Sequence, residues 1–118
     1  MNDRDVGIVQ RILRHIDHAL LHKGGMDYAA FSQNITAASA CAFEIMQIGE
    51  LASLLSDEIQ NRNPDIPWKN IRGMRNRLVH DYENINLMVL WDTVNTDLPE
   101  LKRQMERLNS GFIFNVPL

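Results

Sequence analysis

Residues 34–60 read NITAASACAFEIMQIGELASLLSDEIQ. In this stretch Ile35, Ala38, Ala42, Ile45, Gly49, Ala52, Leu55 and Ile59 recur at steps of three and four, one apolar face of an α-helix. Asn34 is a good N-cap residue, so the spacing predicts a long helix from about Asn34 to about Gln60. Many residues on that face are small, which lets another helix approach closely. The turn cluster Asn61-Arg62-Asn63-Pro64-Asp65 closes it.

The flanking segments follow the same period. Val9, Leu13, Ile16 and Leu20 form the stripe of a first helix, stopped at Lys23-Gly24-Gly25 by a basic last turn and a glycine C-cap. Tyr28, Ala29 and Phe31 mark a short apolar connector. Beyond the long helix, Pro67 suits the first turn of a third helix whose buried face is Trp68, Ile71, Met74 and Leu78. After a break at Asp81–Asn84, Asn86 caps a fourth, carrying Leu87, Trp91, Val94, Leu98, Leu101, Met105 and Leu108. Pro99 falls inside that run, and the register continues on both sides, so a kink is expected there. Ser110-Gly111 should end it, leaving a short apolar tail over residues 112–118. The fold class is all-α, an up-and-down bundle of four to five helices.

The 118 residues are expected to form one domain, and their balance of 45% apolar to 23% charged is that of a globular chain. Cys41 is the single cysteine, which excludes an internal disulfide and a zinc site built on paired cysteines. No run of about 18 apolar residues is present, so no membrane span is expected. The opening Met1-Asn2-Asp3-Arg4-Asp5 lacks the layout of a secretion signal, and the expectation is a cytoplasmic protein.

The net charge of −3 argues against a surface that coats nucleic acid broadly. Charge is nevertheless uneven. Lys69, Arg72, Arg75 and Arg77 lie between Pro67 and His80 with no acid among them, while the other eight basic residues stand against fifteen acidic ones. Arg75 has the planar fork that grips phosphate, and His80 can exchange a proton near neutral pH. Asn76 precedes His80 by four residues, on the same helix face, and could orient its ring. Arg75 and His80 are five apart, about 140° around an ideal helix, so they do not converge from the middle of one. A helix that ends at His80, with two such ends facing across a symmetric dimer, would form a shared site. A solvated basic helix C-terminus favoured by the helix dipole accounts for the same spacing.

The block Arg75-Asn76-Arg77-Leu78-Val79-His80-Asp81-Tyr82 resembles the Arg, four residues, His, any residue, Tyr motif of HepT-like toxins, a branch of the HEPN ribonuclease superfamily. Phe31, Thr36, Ala38, Ile48-Gly49-Glu50, Pro67-Trp68, Ile71 to Tyr82, and Trp91 to Leu98-Pro99 are similar to that family in order and spacing. Asn34 stands where many members carry Asp. The resemblance implies a metal-independent endoribonuclease, active as a homodimer and needing no cofactor. His80 would act as acid–base catalyst, Arg75 would stabilise charge on the phosphorane-like transition state, Asn76 would support His80, and Arg72 and Arg77 would contact RNA. It further implies a type VII-like toxin–antitoxin system. There an MntA-type minimal nucleotidyltransferase antitoxin transfers AMP onto Tyr82, whose alternative is an ordinary buried aromatic at a helix end. The competing functional reading is a non-catalytic helical substrate-binding or regulatory subunit of a nucleotidyltransferase.

Other residues carry weaker signals. His15, His18 and His22 share one face of the first helix at spacings that metal ligands use, yet no acidic or cysteine partner is evident. They read as a solvated face. Glu50, beside Gly49, either neutralises an arginine of the third helix or is a free surface carboxylate. Cys41 reads as a small core or interface residue, and Trp68 and Trp91 as core or interface anchors.

Overall fold

The computed structural model describes residues 1–114, with side chains through Ser110. Helices α1 (Asp3–Lys23), α3 (Ile35–Ser53), α5 (Trp68–Asp81) and α7 (Leu98–Phe114) form the bundle, joined through short helices α2 (Tyr28–Ser32), α4 (Asp57–Arg62) and α6 (Leu87–Asp92). The described residues contain no strand, and the fold is all-α. No described helix is long and apolar enough to cross a membrane.

Helix α3 lies between α1 and α5, and α7 packs on α1. Its small residues Ala38, Cys41, Ala42 and Ala52 are buried against Val9, Ile12 and Ile16 of α1 and the remaining core. Burial of each larger aliphatic side chain contributes about 1.5–3 kcal/mol. Ile8, Ile12 and Ala19 join the expected stripe of α1 in the core, whereas Ile35 is almost fully exposed.

Helix starts follow the side chains that satisfy their first N–H groups. Asn2, Asp27, Asn34 and Asn86 each accept from a backbone N–H of the first turn. Gly24 ends α1 at φ 57°, a conformation that suits glycine, and its N–H bonds the Leu20 carbonyl at 2.9 Å.

Three boundaries differ from expectation. The helix expected to run from Asn34 to Gln60 stops at Ser53, and α4 starts anew. Ser56 is the cause: its hydroxyl accepts from the Ile59 N–H at 3.3 Å and donates to the Asp5 carboxylate at 2.7 Å. Asp5 also accepts from the Ser56 N–H at 3.1 Å, so a buried carboxylate of α1 fixes the break. The kink expected at Pro99 is a π turn just upstream, Thr93–Asp97, where the Leu98 N–H reaches the Thr93 carbonyl. A wide turn accommodates the proline ring without losing the run of buried Val94, Leu98, Leu101 and Met105. Helix α7 then continues through Ser110-Gly111 to Phe114. The rest of the expected apolar tail, residues 115–118, lies outside the described residues.

Pro67 sits at the N-cap of α5, one residue earlier than expected, and its carbonyl accepts from the Ile71 N–H at 3.0 Å. Trp68 anchors the start of this helix: its ring is buried and its Nε1–H donates to the Asn63 carbonyl at 3.0 Å. Trp91 is an anchor too, with Phe31 and Tyr28 rings 5.3 and 6.0 Å away and Lys23 Nζ 5.2 Å above it.

At Gly49, α3 and α5 are in tight contact. A Cβ at this position would overlap Cβ and Cγ of Arg75 and stand 3.3 Å from the Ile71 carbonyl oxygen. Gly73, on α5, faces open space. Gly49→Ala is therefore expected to destabilise the fold by about 1–3 kcal/mol through overpacking. Gly73→Ala should leave stability unchanged or raise it by up to about 1 kcal/mol. Denaturant titration of both variants checks the opposite signs.

Cys41 is fully buried and donates to the Ala19 carbonyl at 3.5 Å. Burial, and next the Glu44 carboxylate, push its thiol from 9.0 up to about 11. Two pH units mean about a hundredfold less thiolate at pH 8 than for an ordinary thiol. Alkylation of the native protein at pH 8 is expected to be at least that much slower than in denaturant, as read by mass spectrometry.

Candidate functional site

Helix α5 and the 3₁₀ turn after it (Tyr82–Asn84) carry the residues singled out by the sequence. The stem of Arg75 crosses Gly49, and its guanidinium reaches Glu50 on α3, with Nη2 2.9 Å from Oε2. Nη1 also donates to Asn76 Oδ1 at 3.0 Å. Glu50 thus neutralises an arginine of α5, as one of its two readings had it. Asn76 supports Arg75, and no hydrogen bond from Asn76 to His80 is present among the described residues. A guanidinium has five N–H donors, so Arg75, about a third exposed, keeps several for a ligand.

His80 occupies the last turn of α5 and is exposed. Among the described residues no hydrogen bond or ion pair joins His80 to Arg75, in keeping with their spacing around the helix.

The other cations of the segment diverge. Arg72 donates to Gln60 of α4 at 3.3 Å. Arg77 and Lys69 line a groove of about 630 Å³ between α5 and α7, opposite the acidic Asp97 and Glu100. The local charge of +4 is therefore distributed over separate faces, and of its four cations only Arg75 pairs with α3.

Asp81 leaves the helical conformation, its side chain accepting from Asn84 Nδ2 at 2.7 Å, and the 3₁₀ turn follows. Tyr82 is 40% exposed, which overturns the reading of it as a buried aromatic. Its hydroxyl lies 2.7 Å from Ser39 Oγ on α3. Ser39 escaped the sequence reading because the two residues are 43 positions apart and meet only in the folded bundle. Helical spacing puts Ile35, Ser39 and Phe43 along one line of α3, and Ile35, Phe43, Val79 and Tyr82 are all exposed.

The histidines of α1 overturn another expectation. His15, His18 and His22 are not a plain solvated face, because all three surround the buried carboxylate of Glu44 on α3.

Comparison with known proteins agrees with the architecture. Residues 10–108 match the family model described as ribonuclease HepT-like. A Methanocaldococcus jannaschii protein named as a candidate RNase is 29% identical over 109 residues, covering 92% of this chain and 94% of its own. A second candidate RNase of that organism is 30% identical over 107 residues, 90% of this chain and 98% of its own. A Thermococcus cleftensis protein named as a candidate ribonuclease HepT is 38% identical over 61 residues, 52% of this chain and 56% of its own. No solved structure matches the chain. With 99 consecutive residues matched and the motif carried on an exposed helix end, the protein is a member of the HepT-like ribonuclease family of HEPN-type helical domains.

Proposed function

We propose that this ribonuclease-family protein is a metal-independent endoribonuclease acting as a homodimer, with Arg75 and His80 as its catalytic pair. The observation that carries the reading is the exposed end of α5. It presents an arginine with free donors and an imidazole in one short motif of a HepT-like chain. In the reaction an imidazole accepts the proton of a ribose 2′-hydroxyl while O2′ bonds to the adjacent phosphorus. The P–O5′ bond then breaks, and the departing 5′-oxygen takes up a proton. The products are a 2′,3′-cyclic phosphate and a 5′-hydroxyl. Arg75 stabilises the charge that builds on the phosphoryl oxygens, the role in which preorganised donors act most strongly. Asn76 holds the guanidinium in place.

Arg75 and His80 of one chain point about 140° apart, so a complete site calls for the motif of a second copy. The exposed side chains of Ile35, Phe43, Val79 and Tyr82, near the end of α5 that carries His80, support association through this face. Arg72 and Arg77, directed elsewhere, serve as outlying RNA contacts.

The same reading makes the protein the toxin of a toxin–antitoxin pair, neutralised by an MntA-type nucleotidyltransferase that transfers AMP to Tyr82. An exposed phenol suits this chemistry: its oxygen bonds to the α-phosphorus of the nucleotide, pyrophosphate leaves, and the phenolic proton is lost. Added phosphate would then place negative charge and bulk at the end of α5 that carries His80.

Cleavage of total tRNA and of an mRNA in excess chelator tests the catalytic pair. Wild type is expected to cut, while His80→Ala is expected to lose roughly 10²–10⁴-fold. Arg75→Ala should lose roughly 10²–10³-fold. No cutting by a folded, unmodified wild-type dimer would favour a non-catalytic subunit of a nucleotidyltransferase. Tyr82→Phe, incubated with the nucleotidyltransferase and labelled ATP, is expected to incorporate no AMP, whereas labelling equal to wild type would remove Tyr82 from the scheme.

A further inference from the structure

Glu44 is 4% exposed, and its ion-pair partners among the described residues are imidazoles alone. His15 Nδ1 lies 3.0 Å from Oε2, His18 Nδ1 3.5 Å from Oε1, and His22 Nε2 3.7 Å from Oε1. One ligand atom each from His15, His18 and Glu44 can be chosen so that all lie within 4.8 Å of one another. Burying a carboxylate without a permanent cation is costly, and neutral imidazoles compensate it only by hydrogen bonding. A cation among these groups would satisfy them together.

The geometry suits a small divalent ion. Ligand atoms held at about 2.1 Å from a tetrahedral zinc stand about 3.4 Å from one another. His18 Nδ1 and His22 Nε2 stand 3.5 and 3.7 Å from one carboxylate oxygen, Oε1, close to that value, and His15 Nδ1 stands 3.0 Å from the other, Oε2. Spacings of three and four along α1 present the imidazoles from successive turns, and α3 supplies the carboxylate from the facing helix. His18 and His22 are partly exposed, which leaves an entry path from solvent. Cys41, one turn before Glu44, gives its thiol hydrogen to Ala19 and is engaged elsewhere.

We propose that His15, His18 and Glu44, with His22 at their edge, form a binding site for a divalent transition-metal ion. Imidazole nitrogen with one carboxylate oxygen is a donor set suited to zinc. The site lies where α3 faces α1, whereas Glu50 turns to Arg75 on α5, so the ion would clamp two helices and take no part at the α5 motif. The proposal stands independently of whether the protein cuts RNA.

Untagged protein, stripped with chelator and exchanged into chelator-free buffer, is titrated with zinc chloride by calorimetry and in thermal melts. One zinc per chain is expected, with a melting midpoint raised by roughly 5–10 °C at a hundredfold excess over Kd. Glu44→Gln keeps the side-chain volume and is expected to weaken binding at least about tenfold. His18→Gln should do the same; being on a partly exposed side chain, it carries the test if Glu44→Gln fails to fold by circular dichroism. Absence of saturable binding in wild type overturns the proposal. So does zinc affinity in folded Glu44→Gln or His18→Gln equal to wild type, which would put the ion on other groups.

Discussion

Helix α3 is covered on two sides, and the remainder of the bundle depends on that arrangement. A helix in contact with both α1 and α5 needs small residues where its neighbours approach, and Ala38, Ala42, Gly49 and Ala52, spaced along one stripe, supply them. Close approach at Gly49 brings the stem of Arg75 over bare backbone, within reach of Glu50. The orientation of the arginine is thus a by-product of helix packing, fixed by the same contact that holds α5 in place.

Tight packing on one side also explains why the basic segment is not a continuous patch. On a helix of 3.6 residues per turn, residues 72, 75 and 77 point in different directions. Arg75 lies over α3, and the others meet α4 and the α5–α7 groove. A local excess of charge in sequence therefore becomes three separate environments in space. Tyr82 returns to α3 by another route, because the chain leaves helical geometry at Asp81 before the 3₁₀ turn.

Much of this was legible from the order of residues. Periodicity located the helices because burial repeats every three to four positions, and the caps at Asn34, Asn86 and Gly24 act through neighbours in sequence. What escaped depends on distant partners. Nothing near Ser56 announces that Asp5, 51 residues away, will hold it and break a helix whose apolar stripe runs on without interruption. Glu44 sits among the small residues of α3 as an apparent exception, and its meaning emerges only when α1 delivers the histidines 29, 26 and 22 positions earlier. Near Pro99 a departure from regular α-helix was readable, but the choice of a π turn was not, since several local geometries spare a proline ring. In the motif the residue types were legible; that Asn76 serves Arg75 depended on rotamers.

The pairing of Arg75 with Glu50 bears on how the protein would respond to ionic strength. A lone arginine meeting a polyanion displaces one small cation from it, and affinity falls steeply as salt is added. Arg75 already holds a carboxylate, and a phosphate that takes the place of Glu50 frees a half-exposed carboxylate, which then gathers a cation from solution. The ions released at one group are recaptured at the other. Exchange of one anion for another, rather than net release of ions, would make the contribution of this arginine nearly indifferent to salt, leaving Arg72, Arg77 and Lys69 to set the slope.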